Sequence, residues 1–312
     1  MEHRQLGRSG LTVSAVGLGC NNFGMRIDAD ASATVVHQAL ESGITFFDTA
    51  EMYGGGKSEE FLGTALGKQR EEAVIATKFG GPKGPGPQQA PGSRRNVIRA
   101  CEDSLRRLGT DYIDLYYLHY PDALTPIEET LEAMTDLVGQ GKVRYLASSN
   151  MAGWQIAEAD YAAADRGLQR FVGSQVEWSL LNRRVEHEMV PACRRYGVGV
   201  VPYFPLASGL LTGKYKRGED FPEGTRLAAS PYFSAIATDE NFAKVERLTE
   251  VAESRGHTIL DLAVSWLLAQ EGVSSVLTGA TKAEQVEANV ASAEWRLDAD
   301  DLAAVAEALA PA

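Results

Sequence analysis

Eight short apolar runs, separated by longer stretches of helical periodicity, constrain the fold of this 312-residue chain more than any other feature. The runs fall at 16–20, 44–47, 73–78, 113–119, 143–148, 171–176, 198–203 and 273–278. They are rich in Val, Ile, Leu and aromatics and lack strict polar–apolar alternation, as strands do when both faces are buried. The intervening pattern predicts helices near 31–42, 57–67, 94–108, 127–140, 152–166, 186–196, 240–269 (broken near Gly256) and 282–291, with a last one at about 299–309. Ser93 and Gly109 bracket the helix of Ile98, Cys101, Leu105 and Leu108; Gly139 and Gly141 stop the next, and Asp298 opens the last. Strand then helix, repeated, means an open doubly wound sheet or a closed parallel barrel.

What ends the runs favours the barrel. Asp48, Lys78, His119, Ser149-Asn150, Gln175 and Tyr203 each stand at or just beyond the end of an apolar run. An open sheet concentrates functional residues at its switch point, whereas a barrel collects them from every strand at one mouth. The expected fold is therefore α/β, a (β/α)8 TIM barrel, with residues 1–312 as a single domain. Residues 2–13 alternate around Gly7-Arg8-Ser9-Gly10, which reads as an N-terminal β-hairpin plugging the barrel bottom. Two long loops, 79–93 and about 204–238, fall at the C-terminal face, where such loops serve as lids or binding loops.

Composition narrows the partners. A net charge of −12 argues against a nucleic-acid surface, which needs a basic footprint, but leaves room for a local cationic pocket. No apolar stretch reaches the ~20 residues of a membrane helix, and Met1-Glu2-His3-Arg4 leads straight into patterned sequence. Three scattered cysteines, Cys20, Cys101 and Cys193, have no C-x-x-C spacing, so neither disulfides nor a structural metal is expected, and Cys20 reads as a packed small residue. A cytoplasmic location fits. Oligomeric state is left open.

Asp48, Tyr53, Lys78 and His119 together form a coherent chemistry. A phenol titrates near ~10, too high for easy proton donation, and a neighbouring ammonium lowers that value. Lys78 beside Tyr53 supplies the ammonium, Asp48 holds it charged and oriented, and His119 offers a hydrogen bond to a substrate oxygen. Such a set protonates an oxygen on which negative charge develops, as when hydride adds to a carbonyl. Two other motifs fail: Gly17-Leu18-Gly19-Cys20-Asn21-Asn22 lacks the third glycine of a dinucleotide fingerprint, and His187-Glu188-Met189-Val190-Pro191 has Pro191 where a zinc peptidase needs histidine.

The segments FFDTAEMYGGGKSEEFLG (46–63), IATKFG (75–80), LRRLGTDYIDLYYLHYPD (105–122), SSN (148–150) and PLASGLLTGKY (205–215) resemble the aldo-keto reductases. The likeness runs from LGRSGLTVSAVGLG (6–19) to ATKAEQVEAN (280–289). It implies a barrel that binds extended NADPH without a metal and transfers the 4-pro-R hydride to an aldehyde or ketone, with Tyr53 as acid–base residue of a tetrad completed by Asp48, Lys78 and His119. It implies contacts from Ser149, Asn150 and Gln175 to the nicotinamide carboxamide, Tyr203 stacked on that ring, and the segment holding Leu206 and Gly209, with Lys214 beyond it, over the pyrophosphate. Gly279, Thr281 and Lys282 lead into a helix N-terminus suited to a 2′-phosphate, with Gln285 and Asn289 near the adenine. Phe204 replaces a common serine and Ala288 a common glutamate, which puts one phosphate and one adenosine contact in doubt. Asn21, Met25, Met52 and Tyr120 are candidate substrate walls, Tyr120 at a position that varies among relatives. The same resemblance admits a sugar or alcohol dehydrogenase, or a redox-sensing NADPH-binding regulatory subunit.

Overall fold

The computed structural model describes residues 1–81 and 89–310. Two short antiparallel strands come first, β1 (His3–Gln5) and β2 (Thr12–Ser14). The barrel strands are β3 (Val16–Gly19), β4 (Phe46–Asp48), β5 (Val74–Phe79), β6 (Ile113–Leu118), β7 (Val143–Ser149), β8 (Phe171–Glu177), β9 (Gly199–Tyr203) and β10 (Val276–Gly279). They pair in parallel in the order β10-β3-β4-β5-β6-β7-β8-β9. A parallel bridge between Val200 and Val273 brings β9 back to the segment leading into β10, so the ring is nearly closed.

The helices are α1 (Ala29–Glu41), α2 (Lys57–Leu66), α3 (Arg94–Leu108), α4 (Ile127–Gly139), α5 (Gly153–Arg166), α6 (Met189–Tyr196), α7 (Arg226–Ala229), α8 (Pro231–Ser234), α9 (Asp239–Ser254), α10 (Ile259–Leu268), α11 (Ala283–Ala291) and α12 (Ala299–Leu309). The break between α9 and α10 falls at Gly256, where φ is 77°, and Thr258 then caps α10. Two expectations need correction. The helix expected from 186 starts only at Met189, preceded by a 3-10 turn at Arg184–His187. Pro191 is the cause: without an N–H it is tolerated only in a helix's first turn. The 204–238 segment is also less irregular than its composition suggests, because it holds α7, α8 and a 3-10 turn at Ala207–Thr212. Ser230-Pro231 starts α8, the Ser230 hydroxyl accepting from Tyr232 N with proline in the first turn. Of the other long loop, residues 82–88 lie outside the described part.

Strand parity explains what faces inward. Phe46, Ala76, Leu115, Tyr117, Ala147, Val201 and Leu277 pack into one cluster inside the barrel, while Phe47, Ile75, Tyr116 and Leu118 join the larger cluster under the helices. Both faces of each strand are thus buried, which is why the runs read as continuous apolar sequence. The hairpin supplies Leu6, Leu11 and Val13 to the interior cluster and closes the bottom. Its turn comes so near the β9 start that a Cβ on Gly199 would lie 2.5 Å from Gly7 N, so only glycine fits there.

Candidate active site

Continuing the inward parity by one step lands on the site. Two residues after Phe46 comes Asp48, two after Ala76 comes Lys78, and two after Tyr117 comes His119. Ala147 is followed by Ser149, Val201 by Tyr203 and Leu277 by Gly279 in the same way. Successive side chains of a strand point to opposite faces, so these residues crown the interior at its C-terminal end.

Tyr53 reaches the same place by a turn. Residues Tyr53–Gly56 form a 3-10 turn in which Gly54, Gly55 and Gly56 have φ of 58°, 66° and 97°. A Cβ at Gly54 would stand 2.8 Å from Phe23 O. Three left-handed residues in a row fold the chain back sharply, a conformation open mainly to glycine. The turn delivers the Tyr53 hydroxyl to within 3.4 Å of Lys78 Nζ.

Lys78 is fully buried and donates to Asp48 Oδ1, to the Thr49 carbonyl at 2.8 Å and to Tyr53. Its three donors are therefore all used, as a buried ammonium requires. Asp48 spends its other oxygen on Gln175, whose Nε2 donates to Oδ2 at 2.8 Å. Burial opposes charge on Lys78, but Asp48 and Tyr53 outweigh it and hold the ammonium above its ordinary range. Burial also pushes Asp48 up, against the pull of Lys78 and Gln175. The phenol departs from the sequence expectation. Burial raises Tyr53 above its ordinary value, and the opposing pull of Lys78 does not overcome it. Desolvation of this part-buried ring is the larger effect.

The His119 ring lies edge-on to the Tyr53 ring, with centroids 6.0 Å apart, and its Nδ1 is buried with no hydrogen-bond partner among the described residues. Burial, then Lys78, lowers its pKa to about 3, so the ring is neutral at working pH. Two results are expected. A kcat/KM profile should show no His119 limb between about pH 5 and 8. Stability should fall with acid, because the unfolded imidazole takes a proton near 6.5 that the folded one refuses until about 3. His119→Gln should flatten that part of the pH dependence of the urea midpoint.

These groups open into a cavity of about 890 Å³. Asp48, Tyr53, His119, Ser149, Asn150, Gln175, Tyr203, Leu206, Gly209, Lys214, Gly279, Thr281, Lys282, Gln285 and Asn289 all line it; Lys78 lies beneath, joined to the lining through Asp48 and Tyr53. Asn150 has φ of 58°; its Nδ2 donates to His119 O and Ser149 Oγ, and its Oδ1 accepts from the Tyr203 hydroxyl at 2.9 Å. Gln285 accepts from Thr281 N at 2.7 Å and Asn289 donates to Gly279 O, so both brace the start of α11. Ala207, Ser208 and Gly209 have φ of 47°, 59° and 97°. The N–H groups of Ala207 and Gly209 close this turn on Phe204 O and Leu206 O, at 2.9 and 2.8 Å.

Sequence reasoning missed two cations. Arg26 donates to the Gly224 carbonyl, and Arg226 donates to Asn22 Oδ1 at 3.2 Å while lying over the Phe204 and Phe233 rings at 5.2 and 5.4 Å. Both line the cavity. Arginines in polar loops read as solvated; only the neighbouring aromatics Phe204, Tyr232 and Phe233 hint otherwise. Of the expected substrate walls, Asn21, Met52 and Tyr120 line the cavity; Met25 stands exposed beside Arg26 and does not. The unexpected Phe204, itself at φ 54°, is part of the wall.

A model of the aldo/keto reductase family matches residues 15–310. The chain belongs to the aldo/keto reductase family. As an aldo/keto reductase it is an oxidoreductase, and its fold class is the family's barrel. A probable voltage-gated potassium channel subunit beta of Arabidopsis thaliana is 38% identical over 93% of this chain and 90% of its own length. The uncharacterized oxidoreductase YrpG of Bacillus subtilis (strain 168) is 36% identical over 97% and 94%. An L-glyceraldehyde 3-phosphate reductase of Escherichia coli O157:H7 is 35% identical over 93% and 87%. Aldo/keto reductases use a nicotinamide cofactor, and the donor set fits one: amide and hydroxyl groups at the β7 end, and cations Arg26, Lys214, Arg226 and Lys282 around the cavity. No helix among the described residues is long and apolar enough to cross a membrane.

Proposed function

We propose that this protein reduces an aldehyde or ketone to an alcohol with NADPH, Tyr53 giving the proton. The observation that carries the proposal is the buried chain Asp48–Lys78–Tyr53, whose phenol opens into the cavity beside a neutral His119. A bound nicotinamide would supply the hydride. The protein's part is to hold the carbonyl oxygen between the Tyr53 hydroxyl and the His119 ring, and to pass the phenolic proton to it as negative charge develops. Lys78 then faces a phenolate rather than a phenol, and the ion pair steadies that charge without reorganising. Ser149 and Asn150 would hold the carboxamide, Tyr203 the ring face, Leu206 to Gly209 with Lys214 the pyrophosphate, and Thr281 with Lys282 the 2′-phosphate. Gln175, already bonded to Asp48, retains its carbonyl oxygen for the same amide.

The test is cofactor oxidation followed at 340 nm against a broad carbonyl panel with NADPH and with NADH. Turnover faster with NADPH is expected, and preference for NADH would remove the role given to Lys282. The same tetrad serves in reverse, so rates with a sugar and alcohol panel and NADP+ decide direction. The Arabidopsis thaliana relative named as a channel subunit favours a second reading, a regulatory protein that holds NADPH. Co-purified cofactor with negligible multiple turnover would establish it.

A further inference from the structure

We propose that Tyr117 is a positioning residue of the active site, its hydroxyl fixing the Gln175 amide so that the amide nitrogen faces Asp48. This rests on the reductase reading above and adds a residue to that site. Tyr117 stands on β6 as the register partner of Lys78 on β5, two residues before His119. It is 0% exposed, and among the buried members of the interior cluster it is the one with a polar side-chain atom. Packing alone would be served by phenylalanine, as at Phe46.

Its ring and its hydroxyl meet the ion pair in different ways. Lys78 Nζ lies 5.7 Å from the Tyr117 ring centroid and 5.0 Å from that of Tyr53, so the ammonium rests over two aromatic faces. The hydroxyl is buried and closes no hydrogen bond of normal geometry among the described residues. A buried hydroxyl left so is costly and uncommon, so an acceptor belongs close by. Burial, then the charge of Asp48, pushes this phenol well above its ordinary value, and Gln175 opposes them as a hydrogen-bonding neighbour. The hydroxyl is therefore a donor at every working pH, with Asp48 and Gln175 before it.

Gln175 supplies the acceptor. Its Nε2 is spent on Asp48 Oδ2 at 2.8 Å, which leaves the amide oxygen for a donor. That oxygen accepts twice, so one lone pair stays for the nicotinamide amide. An amide held at one end only can turn its oxygen toward Asp48, where two oxygens would repel. A bond from Tyr117 to the amide oxygen excludes that rotamer. With Nε2 kept on Asp48, part of the carboxylate's charge is drawn away from Tyr53, whose ionisation Lys78 favours and Asp48 opposes. His119, Tyr120, Tyr203 and Arg226 are the other groups facing the Tyr53 phenol among the described residues.

The experiment follows alcohol oxidation against pH at saturating NADP+ in wild type, Tyr117→Phe, Gln175→Ala and the double variant. Tyr117→Phe keeps the ring over Lys78 and removes only the oxygen. Oxidation uses the Tyr53 phenolate, so its rise with pH should move up by about half to one unit. At a fixed pH on the rise that is about three- to tenfold in rate, the worth of one neutral hydrogen bond. In the Gln175→Ala background the same substitution should add no further shift. An unmoved profile in Tyr117→Phe, or an equal shift in both backgrounds, overturns the proposal. Should neither carbonyl nor alcohol turn over, the reductase reading fails separately. Carbon-13 NMR of ζ-labelled tyrosine in the NADP+-bound protein then decides this one, with the Tyr53 resonance assigned by Tyr53→Phe. Titration of that resonance at higher pH in Tyr117→Phe upholds the positioning role, and an unchanged titration overturns it.

Discussion

Tyr53→Phe is expected to lose about 10²–10⁴-fold in kcat for carbonyl reduction, the range removed when a positioned general acid is deleted. The substitution keeps the ring, so NADPH affinity measured by fluorescence titration should change little. A variant reducing carbonyls at near wild-type rate would refute the role given to this phenol. The pH dependence carries the sign. Reduction uses the protonated phenol, and burial places its pKa above the ordinary phenolic value. Wild-type reduction should therefore hold through neutral pH and decline only in strong alkali. Alcohol oxidation uses the phenolate and should rise with pH over the same range.

Lys78→Met should damage both rate and stability. It strands Asp48, 2% exposed, with Gln175 as its one remaining side-chain partner among the described residues. Removing one member of a buried pair costs about 3–5 kcal/mol. Turnover should fall at least as far as in Tyr53→Phe, since the phenolate loses its counter-charge as well. The double variant Lys78→Met/Asp48→Asn separates the effects. Without a buried unpaired carboxylate, the denaturant midpoint should recover much of the loss while activity stays low. A cycle in which the two stability losses simply add would mean that the pair is not energetically coupled.

Much of the barrel and its mouth was legible because two periodicities coincide. The two-residue step of a strand places Asp48, Lys78 and His119 on the same side as Phe46, Ala76 and Tyr117, so a side chain at a strand's end is aimed before any coordinate is known. Pairing was harder to foresee. Nothing in residue type says that Gln175 turns to Asp48 or that Tyr203 bonds Asn150, because each amide has several partners in reach. The balance between burial and Lys78 at Tyr53 was equally hidden, since it depends on how completely the ring is covered. Arg226 was missed because its place is set by Phe204, Phe233 and Asn22, contacts across more than 20 residues in all but the nearest case. Ser93 shows the limit of local rules: it precedes α3 as a cap should, yet its hydroxyl donates to Ala90 O.

The bond from Gln175 to Asp48 joins β8 to β4, strands that stand opposite one another in a ring of eight. It is a strut across the bore. The separation of two far walls is thereby coupled to the anchor of the ammonium, and through it to the acidity of the phenol. A substitution at the floor of the barrel that widens or narrows the tube would thus be felt as a change in proton transfer, although it touches neither substrate nor cofactor.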